Sequence, residues 1–142
     1  MEKQREWRIG AHVLRFEPPD ILWGEYRGEI SLAEMALMVD IYGELGRARP
    51  FFLVGDITES ALLSAECRVY LSEHAESEWV QAFIYVGARL AHKAVAKGIL
   101  LAAQLTGRAE EGDVAKVHFV ATKAQARELI LQLRSRHSSK VA

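Results

Sequence analysis

The chain has 142 residues, and its 18 basic and 19 acidic side chains leave a net charge of −1. Half of the residues are hydrophobic, which is ordinary globular composition and enough for one domain with one core. Near-neutrality excludes the electrostatic footprint of a nucleic-acid binder and gives no general attraction to an acidic membrane surface.

Residues 1–6 are charged and lead into no apolar signal core. Residues 7–16 alternate imperfectly, with Gly10 breaking the run and 13–16 carrying the strand signal. Pro18-Pro19-Asp20 forces a turn, because proline donates no backbone hydrogen bond and restricts its predecessor. Residues 21–26 return as a strand, with Ile21, Trp23 and Glu25 on one face and Leu22 and Tyr26 on the other. The short connection predicts an antiparallel pair. Ser31 opens the first helix, and Glu34 three residues later completes a capping-box pattern. Met35, Met38, Val39, Tyr42 and Leu45 follow at helical spacing, with Gly46 as the expected C-cap and Pro50 beyond it.

Phe51-Phe52-Leu53-Val54 opens an apolar run too short for a helix, which predicts a central strand over 51–57 buried on both faces. Asp56, Thr58, Glu59, Ser60 and Ser64 then form a polar loop, expected at the mouth of the sheet, where open α/β folds place their sites. A second helix is predicted over 64–77, a strand over 80–87 ending in Gly87, and a third helix over 89–105. Ala91, Val95, Ile99, Ala102 and Leu105 mark that helix's inner stripe, while Leu100, Leu101 and Ala103 widen its apolar arc. A helix so broadly apolar is buried somewhere. With Trp79 it builds a homodimer surface or one wall of an apolar pocket, unless the monomer itself buries it. Residues 106–113 read as a loop and 114–121 as the last strand. Thr122 caps a final helix with Ala126, Leu129, Ile130 and Leu133 as its stripe, and 135–142 is an expected frayed tail.

The predicted order is β-β-α-β-α-β-α-β-α in a single domain, an α/β fold with a mixed sheet that starts with an antiparallel hairpin and continues with parallel strands. That order resembles the STAS-like, or SpoIIAA-like, fold. The runs 23–31 (Trp-Gly-Glu-Tyr-Arg-Gly-Glu-Ile-Ser) and 49–56 (Arg-Pro-Phe-Phe-Leu-Val-Gly-Asp) are similar to small bacterial members of that group. The resemblance covers about residues 7–134. It implies a protein-binding regulatory module with no chemistry of its own. In anti-sigma-factor antagonists of this group, the loop after the central strand carries a phosphorylatable serine in an Asp-Ser-Ser-Gly-like run. This chain keeps hydroxyls there without that run. Candidate phosphorylation or partner-binding residues are therefore Asp56, Thr58, Ser60, Ser64 and Arg89. The resemblance implies another protein as partner, a kinase or a sigma-factor regulator, and its alternative is a carrier or sensor of a small apolar ligand or lipid.

Catalytic signatures do not emerge from the residues. There is no G-x-S-x-G, no phosphate-binding glycine loop, no H-E-x-x-H and no Cys–His cluster. His12, His74, His92, His118 and His137 fall on separate elements. Asp56 suits an Asx-turn, and Gly87-Ala88-Arg89 suits a tight turn into a helix. Cys67 is the single cysteine, so no internal disulfide forms, and its helical position reads as packing. The expectations are a non-enzyme with no cofactor and no metal, binding no nucleic acid, not inserted in a membrane and cytoplasmic.

Overall fold

The computed structural model describes residues 5–105 and 116–141. The loop expected over 106–113 lies outside them, as do the start of the expected last strand and the side chains of Ile99 and Leu100.

Three antiparallel strands come first: β1 (Arg5–Ile9), β2 (His12–Glu17) and β3 (Ile21–Gly28). The sequence suggested two. The difference lies at Gly10, whose φ of 59° is left-handed and easy only for glycine. What read as one broken strand is a tight hairpin pairing Ile9 with His12. Then follow α1 (Leu32–Ala48), β4 (Phe51–Ser60), α2 (Ala65–His74), a single 3-10 turn at Ser77–Trp79, β5 (Val80–Val86), α3 (Leu90–Leu105), β6 (Val117–Val120) and α4 (Lys123–Val141). The expected frayed tail is helical as far as Val141.

Ser31 caps α1 as its sequence requires. Its hydroxyl accepts from the Glu34 N–H at 3.1 Å, and the Glu34 carboxylate accepts from the Ser31 N–H at 2.9 Å. Gly46 does not end this helix, which runs on to Ala48. Its reason is contact: a Cβ at Gly46 would overlap Trp79, and one at Gly43 would reach both Arg47 and Trp79. Two glycines one turn apart thus form the slot that seats the indole.

The strand order is β1-β2-β3-β4-β5-β6, with β3 through β6 all parallel. Because the order never reverses, right-handed crossovers place α1, α2 and α3 on one face of the sheet. That face holds Leu14, Leu22, Phe51 and Leu53 against Met35, Met38, Tyr42, Leu45 and Cys67. Only α4 returns to the other face, where Ala126 and Ile130 pack on Trp23, Phe52, Val54 and Ile84. One edge of α4 is pinned by cations to acids of the antiparallel part. Lys123 meets Glu25 at 3.1 Å, Arg127 meets Glu17 at 2.6 Å, and Arg134 pairs with the buried Asp20. The Arg127 guanidinium holds the Glu17 carboxyl below its usual range.

Candidate functional site

A monotonic strand order has no switch point, so the crevice expected at the C-terminal ends of the strands is not made by the topology. The polar run after the central strand is also shorter than its sequence suggests. Thr58, Glu59 and Ser60 belong to β4, where Glu59 pairs with Arg27 and Ser60 with Gly28 across the ladder.

The sequence-predicted site residues fall into three local settings. Asp56 forms the turn expected of it, its Oδ1 accepting from the Thr58 N–H at 3.1 Å and from the Thr58 hydroxyl at 2.8 Å. Ser64 is exposed and caps α2, its hydroxyl accepting from the Cys67 N–H at 3.2 Å. Ser60 is only 4% exposed and donates its hydroxyl to the Ala61 carbonyl at 2.9 Å. A kinase reaches that hydroxyl only if the end of β4 opens. The Ser60 carbonyl is a junction, receiving Arg89 Nη2 at 3.2 Å and the buried His92 Nε2 at 3.0 Å. Since His92 Nδ1 accepts from the Arg89 N–H at 3.3 Å, the ring proton sits on Nε2. Ser60 and Arg89 are therefore brought together, and they fasten the end of β4 to the start of α3. Asp56 with Thr58, and Ser64 with its helix end, form separate local structures.

His12 repeats this device at the other end of the helical face. Its Nδ1 accepts from the Arg27 N–H at 3.0 Å and its Nε2 donates to the Glu29 carbonyl at 3.1 Å. His74 stacks on Tyr70, centroids 4.0 Å apart, and bonds the Tyr70 carbonyl. His118 is half-buried in β6, where burial, then Arg136, pushes its pKa down. Among the described residues no group of three His, Cys, Asp or Glu side chains is placed to hold a metal ion. Among them no helix is long and apolar enough to cross a membrane.

The most apolar recess is one that no motif announces. An apolar cavity of about 180 Å³ lies between the sheet and the helical layer. Leu53 and Ile57 of β4, Phe83 and Tyr85 of β5 and Val117 of β6 form its floor. Met35, Met38, Leu71, His92 and Val95 line it from α1, α2 and α3. It exists because α3 packs on α2 and leaves space above β5 and β6. From α3 the described lining residues are His92 and Val95, the latter on the inner stripe expected of that helix. Ile57, Leu63, Leu71 and Phe83 are only half-buried although they pack on the core. Trp79 also lines the cavity, while Leu101 and Leu105 of α3 are exposed at 56% and 81%.

Three tyrosines give this apolar space a polar spot. Gly24 and Gly55 are neighbours across β3 and β4. A Cβ at Gly55 would stand 3.1 Å from the Tyr26 ring and 3.6 Å from Tyr85, and one at Gly24 would press on Tyr26 as well. The paired glycines are the bare strip over which Tyr26 lies. Its hydroxyl meets that of Tyr42, on α1, at 2.8 Å. Burial pushes Tyr26 up to about 12, with the Tyr42 hydrogen bond opposing it. Burial, then the neighbouring Tyr26, raises Tyr42 and Tyr85 as well. Sequence alternation puts Tyr26 on the face of Leu22, and a tyrosine buried there asks for a hydroxyl partner. The glycine two residues before it was the available sign that the ring lies across the sheet.

No family model matches the chain, and no curated protein matches it either.

Proposed function

We propose that the protein is a STAS-like, non-enzymatic module that takes a small apolar ligand into the cavity between its sheet and α1–α3, as a carrier or sensor. The mixed sheet with an antiparallel start supports the family frame. The cavity carries the ligand reading. Apolar walls left uncovered around this partly open space forgo burial worth about 25 cal/mol per Å². Domains of this size have only about 5–15 kcal/mol of net stability. Larger side chains at Val95 or Val117 would remove that cost, so a use for the space is the economical reason to keep it. Its volume is slightly above the roughly 150 Å³ of an engineered apolar cavity that accepts benzene. A ligand of one ring with a short branch, or a short acyl segment, fits.

The test is a titration of the isotope-labelled protein with cumene, followed by amide and methyl NMR. Saturable shifts centred on Leu53, Phe83, Leu71 and Val95 are expected. No shift up to the aqueous solubility of cumene, or shifts spread over the surface, ends the reading.

A second reading, docking of another protein such as a kinase or sigma-factor regulator, is favoured by one observation. Leu62 and Leu90 are 45% and 84% exposed beside the exposed Thr58, Glu59 and Ser64 and beside Arg89. Phosphate on Ser64 would sit at the start of α2, where free N–H groups and the macrodipole favour it. Native mass spectrometry of protein isolated from its host tests this directly. A co-isolated protein or phosphate on Ser64 supports it, and a bare, unmodified species across growth conditions removes it.

A further inference from the structure

The three tyrosine hydroxyls carry three protons, and the structure uses only one of them between themselves. In the Tyr26–Tyr42 pair one hydroxyl donates and the other accepts, so the acceptor keeps its own proton. Tyr85 makes no hydrogen bond with any described residue. All three side chains line the cavity. Tyr85 lies deep, held between the Gly55 strip and the stacked Phe119 at 5.7 Å, yet it keeps accessible surface. That surface faces the cavity. Two O–H donors thus stand at a mostly apolar wall, neither bonded to an acceptor among the described residues, and a buried donor without an acceptor is costly.

We propose that the natural ligand is a neutral apolar molecule bearing one carbonyl oxygen, of the ketone, aldehyde, ester or amide class, and that Tyr85 and the unused proton of the Tyr26–Tyr42 pair bind that oxygen. This rests on the cavity being a ligand site. A carbonyl oxygen has two lone pairs in one plane, so it can take both donors. An anion fits badly. Among the described lining residues there is no lysine or arginine, and Glu76 is a carboxylate. Both nitrogens of the His92 ring are already engaged, Nδ1 accepting from the Arg89 N–H and Nε2 donating to the Ser60 carbonyl. Burying a carboxylate with no cation is far more costly than burying a ketone. The raised tyrosines remain proton donors throughout the neutral range, which keeps the preference independent of pH there.

The experiment compares acetophenone with cumene, which has the same number of heavy atoms and nearly the same shape but no oxygen. Each is titrated into the full chain and into Tyr85→Phe by NMR. Tyr85→Phe is expected to weaken acetophenone about five- to tenfold, the worth of one hydrogen bond, and to leave cumene within about twofold, as expected when no polar contact is lost. Equal losses for both probes make Tyr85 a packing residue and overturn the proposal. So does an unchanged acetophenone affinity, which would mean that water satisfies the hydroxyl. If wild-type protein binds neither probe, the cavity reading itself fails, a result distinct from the first two. Should Tyr85→Phe not fold, the wild-type preference decides. Acetophenone binding at least tenfold more tightly than benzoate at pH 7 is expected, and benzoate binding as well or better overturns the carbonyl class.

Discussion

Filling the cavity should stabilise the protein and abolish its binding, a combination that ordinary core mutation does not produce. Val95 lines the cavity from α3, and Val95→Phe adds four carbons to that wall. If each takes a share like the roughly 30 Å³ of a liquid water, they occupy over half of the 180 Å³. At about 24 cal/mol per Å³, the figure for a closed cavity, that returns at most about 3 kcal/mol. Fixing a larger ring and adjusting its neighbours takes back some of this, so a net gain of about 1 kcal/mol is expected. For a chain of this size it appears as a rise of about 2–4 °C in Tm. It also appears as a urea midpoint raised by about 0.5 M at unchanged m. Tryptophan fluorescence reads the unfolding, since Trp79 borders the cavity. Cumene affinity, measured on the same samples, should fall more than tenfold. A variant destabilised by 1–3 kcal/mol, the cost of overpacking, with cumene affinity kept would refute the reasoning. It would mean that the lining side chains already fill the space.

Three further outcomes are expected. Gly46→Ala should destabilise by about 1–3 kcal/mol in a urea melt, because its Cβ overlaps Trp79, although the same change in an open helix stabilises by about 1 kcal/mol; a stabilised variant would show that the indole slot is not tight. His12→Ala should cost about 2–4 kcal/mol, leaving the Arg27 N–H and the Glu29 carbonyl without their partner inside the protein. The exposed His74→Ala should cost under about 0.5 kcal/mol by the same melt, and equal effects would remove the strut role of His12. Alkaline stability follows from the raised tyrosines. A phenol whose folded pKa lies above its unfolded value stabilises fully below the unfolded value, near 10, and loses that contribution as pH rises toward the folded one. Three of the four tyrosines should therefore show tyrosinate absorbance only together with loss of the fold above about pH 10; early ionisation in the intact protein would contradict their burial.

The alternation of elements was legible because each carried its own local signal. The Ser31–Glu34 cap, the apolar run after Pro50 and the stripe of Ala126, Leu129, Ile130 and Leu133 each fix a period or a boundary without reference to the rest of the chain. Errors fell where a residue answered to a distant partner. Gly46 reads locally as a helix stop, but its meaning lies in Trp79, more than thirty residues away in sequence. Gly10 reads as a flaw in a strand and is a hairpin turn. The polar character of Thr58, Glu59 and Ser60 suggested a loop, yet the ladder with Arg27 and Gly28 holds them extended. The tyrosine spot was the least visible. Tyr26, Tyr42 and Tyr85 come from a strand, a helix and another strand, and no spacing rule links them.

Topology itself explains why the cavity sits where it does. Strands added in one direction send every crossover helix to the same face, so α1, α2 and α3 share a sheet that one helix covers on its opposite side. The first of them reaches its closest approach through Gly43 and Gly46 against Trp79. The second packs Cys67 into the core. The third finds its neighbour in α2, with His92 and Arg89 tying its first turn to the Ser60 carbonyl. Those bonds fix one end of α3 while the floor beneath it, Phe83, Tyr85 and Val117, stays only half-covered. A ligand in that space would touch the sheet and α3 together. Its arrival would therefore be felt at the His92–Arg89–Ser60 junction and at the exposed Leu62 and Leu90 beside it. The ligand and docking readings then become two ends of one device, since occupancy below α3 would set the geometry of the surface that another protein meets. Amide exchange separates them. A carbonyl-bearing probe that fills the cavity should slow exchange at Ala61 and Lys93, whose N–H groups bond the Gly28 and Arg89 carbonyls at that junction. Protection confined to the strands beneath the cavity would leave binding without a reporter.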